Sequence, residues 1–216
     1  MGTITRSFAN NITTSGVLLP ASLTNNSIAN VTAYNAAVAT GNMVLISSQT
    51  ASNSASISFT TGINSTYKEY QFYFIDINPA TDGANFQFNM STDSGSNYNV
   101  TKTSTYFSAY HSESGTDNAF GYTTSHDLAQ STAFQSISHD IGSGADESGA
   151  GTLTLFNPAS TTYVKHFISS ANNTYVSYTQ NHYMAGYGNT TSAINAVQFK
   201  MDSGNFDGTI LMYGIV

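Results

Sequence analysis

Phe86, Phe88 and Met90 alternate strictly with Gln87, Asn89 and Ser91, within the run Tyr67 to Tyr98, YKEYQFYFIDINPATDGANFQFNMSTDSGSNY. Successive strand side chains point to opposite faces, so the alternation predicts a strand with one buried and one wetted face. Just before it, Tyr70, Phe72 and Phe74 fall on one parity and Tyr73, Ile75 and Ile77 on the other. A strand apolar on both parities is expected to be covered on both faces, inside a sandwich or at a subunit contact. Asn78-Pro79-Ala80-Thr81-Asp82-Gly83 supplies the turn between the two, because proline pre-sets φ and Asp-Gly tolerates positive φ. Asp93-Ser94-Gly95-Ser96-Asn97 then reverses the chain again. The run reads as a β-meander with one hydrophobic side, and it contains no catalytic apparatus.

The same patterns recur along the chain. Met43 to Ile46 predicts a short buried strand, and in Ser54 to Thr60 the apolar Ala55, Ile57 and Phe59 alternate with serines. Val100 to Tyr110 predicts a strand, Phe134, Ile137 and Ile141 another, and Gly142 to Gly151 a flexible loop. Thr152 to Phe156 reads as a strand ending at Asn157-Pro158. Tyr163 to Ser169 and Thr174 to Tyr183 read as a pair turning at Ser170 to Asn173, since Asn tolerates the left-handed conformation. Ile194 to Met201 reads as half-buried, and Thr209 to Val216 as the closing strand. Roughly nine to eleven strands at short spacing predict an all-β, antiparallel β-sandwich of jelly-roll type. No internal repeat is visible, which speaks against propellers and solenoids.

Residues 1–40 differ from the sandwich expected over 41–216. Their only aromatics are Phe8 and Tyr34, and Asn and Thr separate short apolar clusters. Val17, Leu18, Leu19 and Leu23 are the candidates for anchoring such an irregular N-terminal arm, either along its own domain or into a neighbouring subunit or assembly.

Composition narrows the partners. Of 216 residues, 40% are hydrophobic and 12% aromatic, enough for a core, but only 8% are charged. The polar surface therefore rests on Ser, Thr, Asn and Gly, which favour strands and turns over helix interiors. Five Lys+Arg against twelve Asp+Glu give a net charge of −7, too few cations for a phosphate-binding surface. Nucleic-acid binding and attachment to anionic membranes are thereby disfavoured. Cysteine is absent. The opening MGTITRSFANN lacks a continuous apolar stretch, so neither secretion nor membrane insertion is expected.

Candidate chemistry is thin. His111, Glu113, Asp117, His126, Asp127, His139 and Asp140 fall close together in sequence. Their spacing matches no HExxH, no i,i+2 His pair and no Asp-rich calcium loop, so solvated or locally hydrogen-bonded histidines are expected and no metal or other cofactor. Gly142-Ser143-Gly144 lacks the G-x-S-x-G frame. The expectation is a protein that is not an enzyme. Tyr106, Tyr110, Tyr122, Tyr183 and Tyr187 flank loops and are the surface-contact candidates, each offering a flat apolar face and a hydroxyl to sugar or protein.

Four segments carry a resemblance: the Tyr67–Tyr98 run, GTLTLFNPASTTYVKHF, the terminus AINAVQFKMDSGNFDGTILMYGIV and the opening MGTITRSFANNITTSGV. Together they resemble virion structural proteins of marine tailed bacteriophages, the tail-fibre-like and capsid-appendage proteins. The closing pattern of that family, S-G-x-F-x-G-T-I-x-x-Y-G, stands here at Ser203, Gly204, Phe206, Gly208, Thr209, Ile210, Tyr213 and Gly214. The resemblance implies a homo-oligomer, a trimer by preference, held to other virion proteins by its N-terminal arm. The expected function is a tail fibre or tail appendage that attaches to a host surface glycan. The alternatives are capsid decoration or a head fibre and, from a different class, a soluble carbohydrate-binding module or depolymerase fragment.

Overall fold

The computed structural model describes residues 43–216. The arm expected over 1–40, with Val17, Leu18, Leu19 and Leu23, lies outside them. The described residues form two antiparallel sheets. The larger runs in the order β1 (Met43–Ser54), β12 (Phe206–Ile215), β3 (Glu69–Pro79), β8 (Gly149–Phe156), β9 (Lys165–Tyr175), β10 (Tyr178–Gly188), β5 (Lys102–Ser112), β6 (Asn118–Tyr122). The smaller runs β2 (Ile57–Phe59), β11 (Ala196–Met201), β4 (Ala84–Ser91), β7 (Gln135–Ile141). This is the all-β sandwich that the alternation predicts. The division into eight and four strands does not by itself identify a jelly roll.

Phenylalanines fill the space between the sheets. Phe199 of β11 packs its ring 5.2 Å from Phe72 and from Phe74 of β3, and 5.9 Å from Phe86 of β4. Aromatic pairs at these separations contribute about 0.5–1.5 kcal/mol each beyond the area they bury. The position of Phe199 corrects the expectation of a half-buried strand. β11 lies between β2 and β4, and Ala196, Val197, Phe199 and Met201 are all buried.

β3 corrects a second expectation. Tyr70, Phe72 and Phe74 face the core, but Ile75 is 43% exposed and Tyr73 half-buried on the outer face. Ile77 returns to the core because the ladder shifts between Phe74 and Ile77, where Asp76 takes a φ of 53°. One extra residue moves the following side chain to the other face. The partner strand β12 has its own irregularity between Asp207 and Thr209, at Gly208 with φ 135°. A Cβ at Gly208 would stand 2.8 Å from the Asp76 carbonyl oxygen.

β1 is an edge strand, twelve residues long rather than short and buried, with Met43 and Leu45 on the outer face and exposed. The β9–β10 hairpin turns at Val176-Ser177, with Val176 at φ 56°. Asn172 and Asn173, expected to turn the chain, lie within β9. The glycine-rich run expected to be flexible is largely tied down. Glu147 accepts from the backbone N–H of Gly144 and of Val176, and Asn78 Nδ2 donates to the Glu147 carbonyl at 2.7 Å.

Two of the five Lys+Arg side chains, Lys102 and Lys165, are fully buried. Lys102 Nζ donates to Asn89 Oδ1 and to the Val100 carbonyl, at 2.6 and 2.7 Å, and burial pushes its pKa down to about 7. The surface is poorer in positive charge than composition alone implies.

Candidate functional site: an aromatic groove above a histidine cluster

β7, the edge strand of the smaller sheet, packs against β9 and β10 of the larger sheet. Cross-strand pairing aligns Tyr110 with Gln180 and Asn173, then Ser112 with Tyr178 and Tyr175. Gln180 and Tyr178 share one face of β10 because they are two residues apart. Tyr110, Tyr175, Tyr178 and Gln180 line a groove of about 320 Å³, with His139 and Asp140 of β7 on its other side and Asp117 at its rim.

The Tyr110 and Tyr178 rings stand nearly perpendicular, at 80° with centroids 5.7 Å apart. Tyr178 donates its hydroxyl to Asp117 Oδ2 at 3.2 Å, and that bond followed by the carboxylate's charge raises the phenol's pKa. Gln180 is buried at 8% exposure. Its backbone carbonyl accepts from Asn172 Nδ2, whereas its side-chain amide has no hydrogen-bond partner among the described residues. Open to the groove, this amide offers a donor and an acceptor to a ligand.

Behind the groove wall lies a histidine cluster that sequence spacing did not reveal. His126 stacks on His139 with centroids 4.5 Å apart, and His139 meets His182 at 4.3 Å. Tyr106 lies within 5.9 Å of all three rings. His182 Nε2 lies 2.6 Å from Asn173 Oδ1, which also accepts from Ser138 Oγ. The amide oxygen is an acceptor there, so the network assigns the proton to Nε2. His182 Nδ1 and His139 Nε2 are buried without hydrogen-bond partners among the described residues, and His139 Nδ1 pairs with Asp140 Oδ2 at 3.0 Å. Burial, reinforced by the two neighbouring imidazoles, pushes the His182 pKa down to about 3. His126 shifts in the same direction, mainly through burial. Among the described residues, no group of three or more His, Cys, Asp or Glu is placed to hold a metal ion.

The expectation of solvated or locally bonded histidines concerned His111, His126 and His139, and His139 does bond locally to Asp140; the fully buried His182 was not among the candidates. Of the tyrosines, Tyr110 lines the groove. Tyr122 and Tyr183 are exposed elsewhere, and Tyr122 donates to Asp127 Oδ2 at 2.6 Å. Tyr187 is half-buried, its hydroxyl 3.4 Å from Gln130 Nε2. Tyr106 is wholly buried and is no surface contact: its parity in β5 points it between the sheets, where its hydroxyl donates to the Ile137 carbonyl. Gln180, Tyr175 and Tyr178 were missed, because only the hairpin register brings them beside Tyr110. Comparisons with family models, curated proteins and solved structures find no match to the chain.

Proposed function

We propose that the chain is a non-enzymatic structural protein of a tailed-phage virion, displayed on the particle as a tail fibre or tail appendage that attaches to the host surface. The observation that carries this reading is the aromatic groove between β5, the β9–β10 hairpin and β7. It presents tyrosine faces and hydrogen-bonding groups on a stiff β scaffold, as a recognition surface requires. Its carboxylates already accept bonds from Tyr178 and His139, an arrangement that favours holding a ligand over transferring protons. Low surface charge leaves such contacts little affected by seawater salt.

A homo-oligomer, a trimer by the resemblance, forms part of the proposal. Met43, Tyr73, Ile75, Leu211 and Tyr213 line a shallow groove of about 270 Å³ on the outer face of β1, β12 and β3. None of these side chains is charged, so a second copy of the same uncharged surface suits it better than a charged partner. A capsid-decoration role uses this face equally well. The second reading, a soluble carbohydrate-binding module, is favoured by one observation: the aromatic groove is complete within a single chain.

The test is competition. Purified protein, incubated with host cells before infection, is expected to block phage adsorption in proportion to its concentration. Unchanged adsorption at saturating protein contradicts the attachment role.

A further inference from the structure

The aromatic groove has a floor, walls and a charge sign, and together these narrow its ligand. Gln180 forms the floor, nine-tenths buried, with neither its side-chain carbonyl nor its amine bonded to another of the described residues. One amide can accept from one hydroxyl and donate to the next, the pattern offered by neighbouring hydroxyls on a sugar ring. Tyr110 and Tyr178 form the walls, and their perpendicular setting gives one flat apolar face and one edge. Asp117 and Asp140 border the groove, and among the described residues no Lys or Arg lines it. An anionic ligand would meet like charge there without a counter-ion. The volume of about 320 Å³ lies at the small end of ligand sites, which span roughly 300–1,000 Å³.

We propose that this groove binds the ring of an uncharged saccharide, with the Gln180 amide bonding to its hydroxyls and the Tyr110–Tyr178 pair meeting its apolar surface with one ring face and one ring edge. The inference deepens the attachment reading and rests on it for the biological setting, though the binding is testable alone. Recognition through one amide and two rings is weak per site. Copies on one particle would strengthen it through avidity.

The experiment is an NMR titration of the full chain with methyl glucoside, methyl galactoside, methyl mannoside and methyl glucuronide. At least one uncharged glycoside should shift the Gln180 side-chain amide and the Tyr110 and Tyr178 ring signals. The glucuronide should bind about tenfold more weakly or not at all. Gln180→Leu keeps the buried volume and should abolish the shifts, and Tyr110→Ala should weaken binding about tenfold, with melting temperature reporting that each variant folds. Overturning outcomes are no groove shifts with any neutral glycoside, or glucuronide binding as tight as the best of them. Blocked adsorption with a silent groove removes this inference and keeps the attachment reading. Sugar binding without blocked adsorption does the reverse.

Discussion

His182 and Asn173 join the β9–β10 hairpin to itself through a 2.6 Å contact, and Asn173 extends the link to β7. Its Oδ1 accepts from Ser138 Oγ at 2.9 Å and its Nδ2 donates to the Asp140 carbonyl at 2.9 Å. One buried amide therefore ties the edge of the smaller sheet to the floor of the larger, immediately behind the groove. Asn173→Ala should cost about 2–3 kcal/mol, since it leaves the Ser138 hydroxyl and a buried imidazole N–H unpaired. Asn172→Ala is the control. Its side chain bonds to Thr179 and Asn181 on the exposed face, and its loss should cost about 1 kcal/mol or less. Urea unfolding of the two variants measures the difference, and equal costs would contradict the bridging role.

Acid should weaken the fold through the same cluster. The His182 pKa lies at about 3 against an ordinary 6.5, so the unfolded chain takes up a proton that the folded chain refuses. Stability is then full above pH 6.5 and falls as pH drops from there toward about 3. His126 adds to the loss with the same sign. Tyr106, His139 and Asp140 face the cluster, and Asp140 and Asp202 partly offset the shift at His126. Asp93, held at about 2 by hydrogen bonds from Ser91 and Asn97, keeps its stabilising contribution down to its ordinary 3.8 and loses it only below that. Melting temperature followed from pH 8 to pH 4 should fall most steeply below about 6.5 for the native protein. His182→Gln, which cannot take up that proton, should flatten this limb. A native profile level across that range would exclude the cluster as an acid-labile point.

The outer face of β1, β12 and β3 makes a separate prediction. Ile75 is 43% exposed and Leu45 52%, large apolar side chains on one surface. Sedimentation velocity should find a homo-oligomer of the native chain and a monomer for Ile75→Asp, with circular dichroism unchanged. A monomeric native chain, or a variant that stays assembled, would contradict self-association through this face.

The sandwich was legible in the sequence because alternation survives wherever one face of a strand is buried, as at Phe86, Phe88 and Met90. It failed at β3, where the residue pattern does not announce the irregularity at Asp76, so Ile75 and Ile77 share a parity but face opposite ways. It failed again at β9. Asn172-Asn173 has turn chemistry, yet Asn173 is buried by partners on β7 and β10 that local sequence cannot supply. Of the site, Tyr110, Asp117, His139 and Asp140 stood among the sequence candidates, but nothing in their spacing joined them. The cluster joins His126, His139 and His182 from a loop and two strands of different sheets, and cross-sheet packing leaves no mark on spacing. Tyr106 was misread for the same reason: a tyrosine near a loop looks exposed until the sheet closing over it is known.

Gold-labelled antibody imaging of intact phage particles tests the central claim most directly. Label at the tail, with the protein recovered in digests of purified particles, is the predicted result. Particles without label, and without the protein in their digests, would contradict a place in the virion.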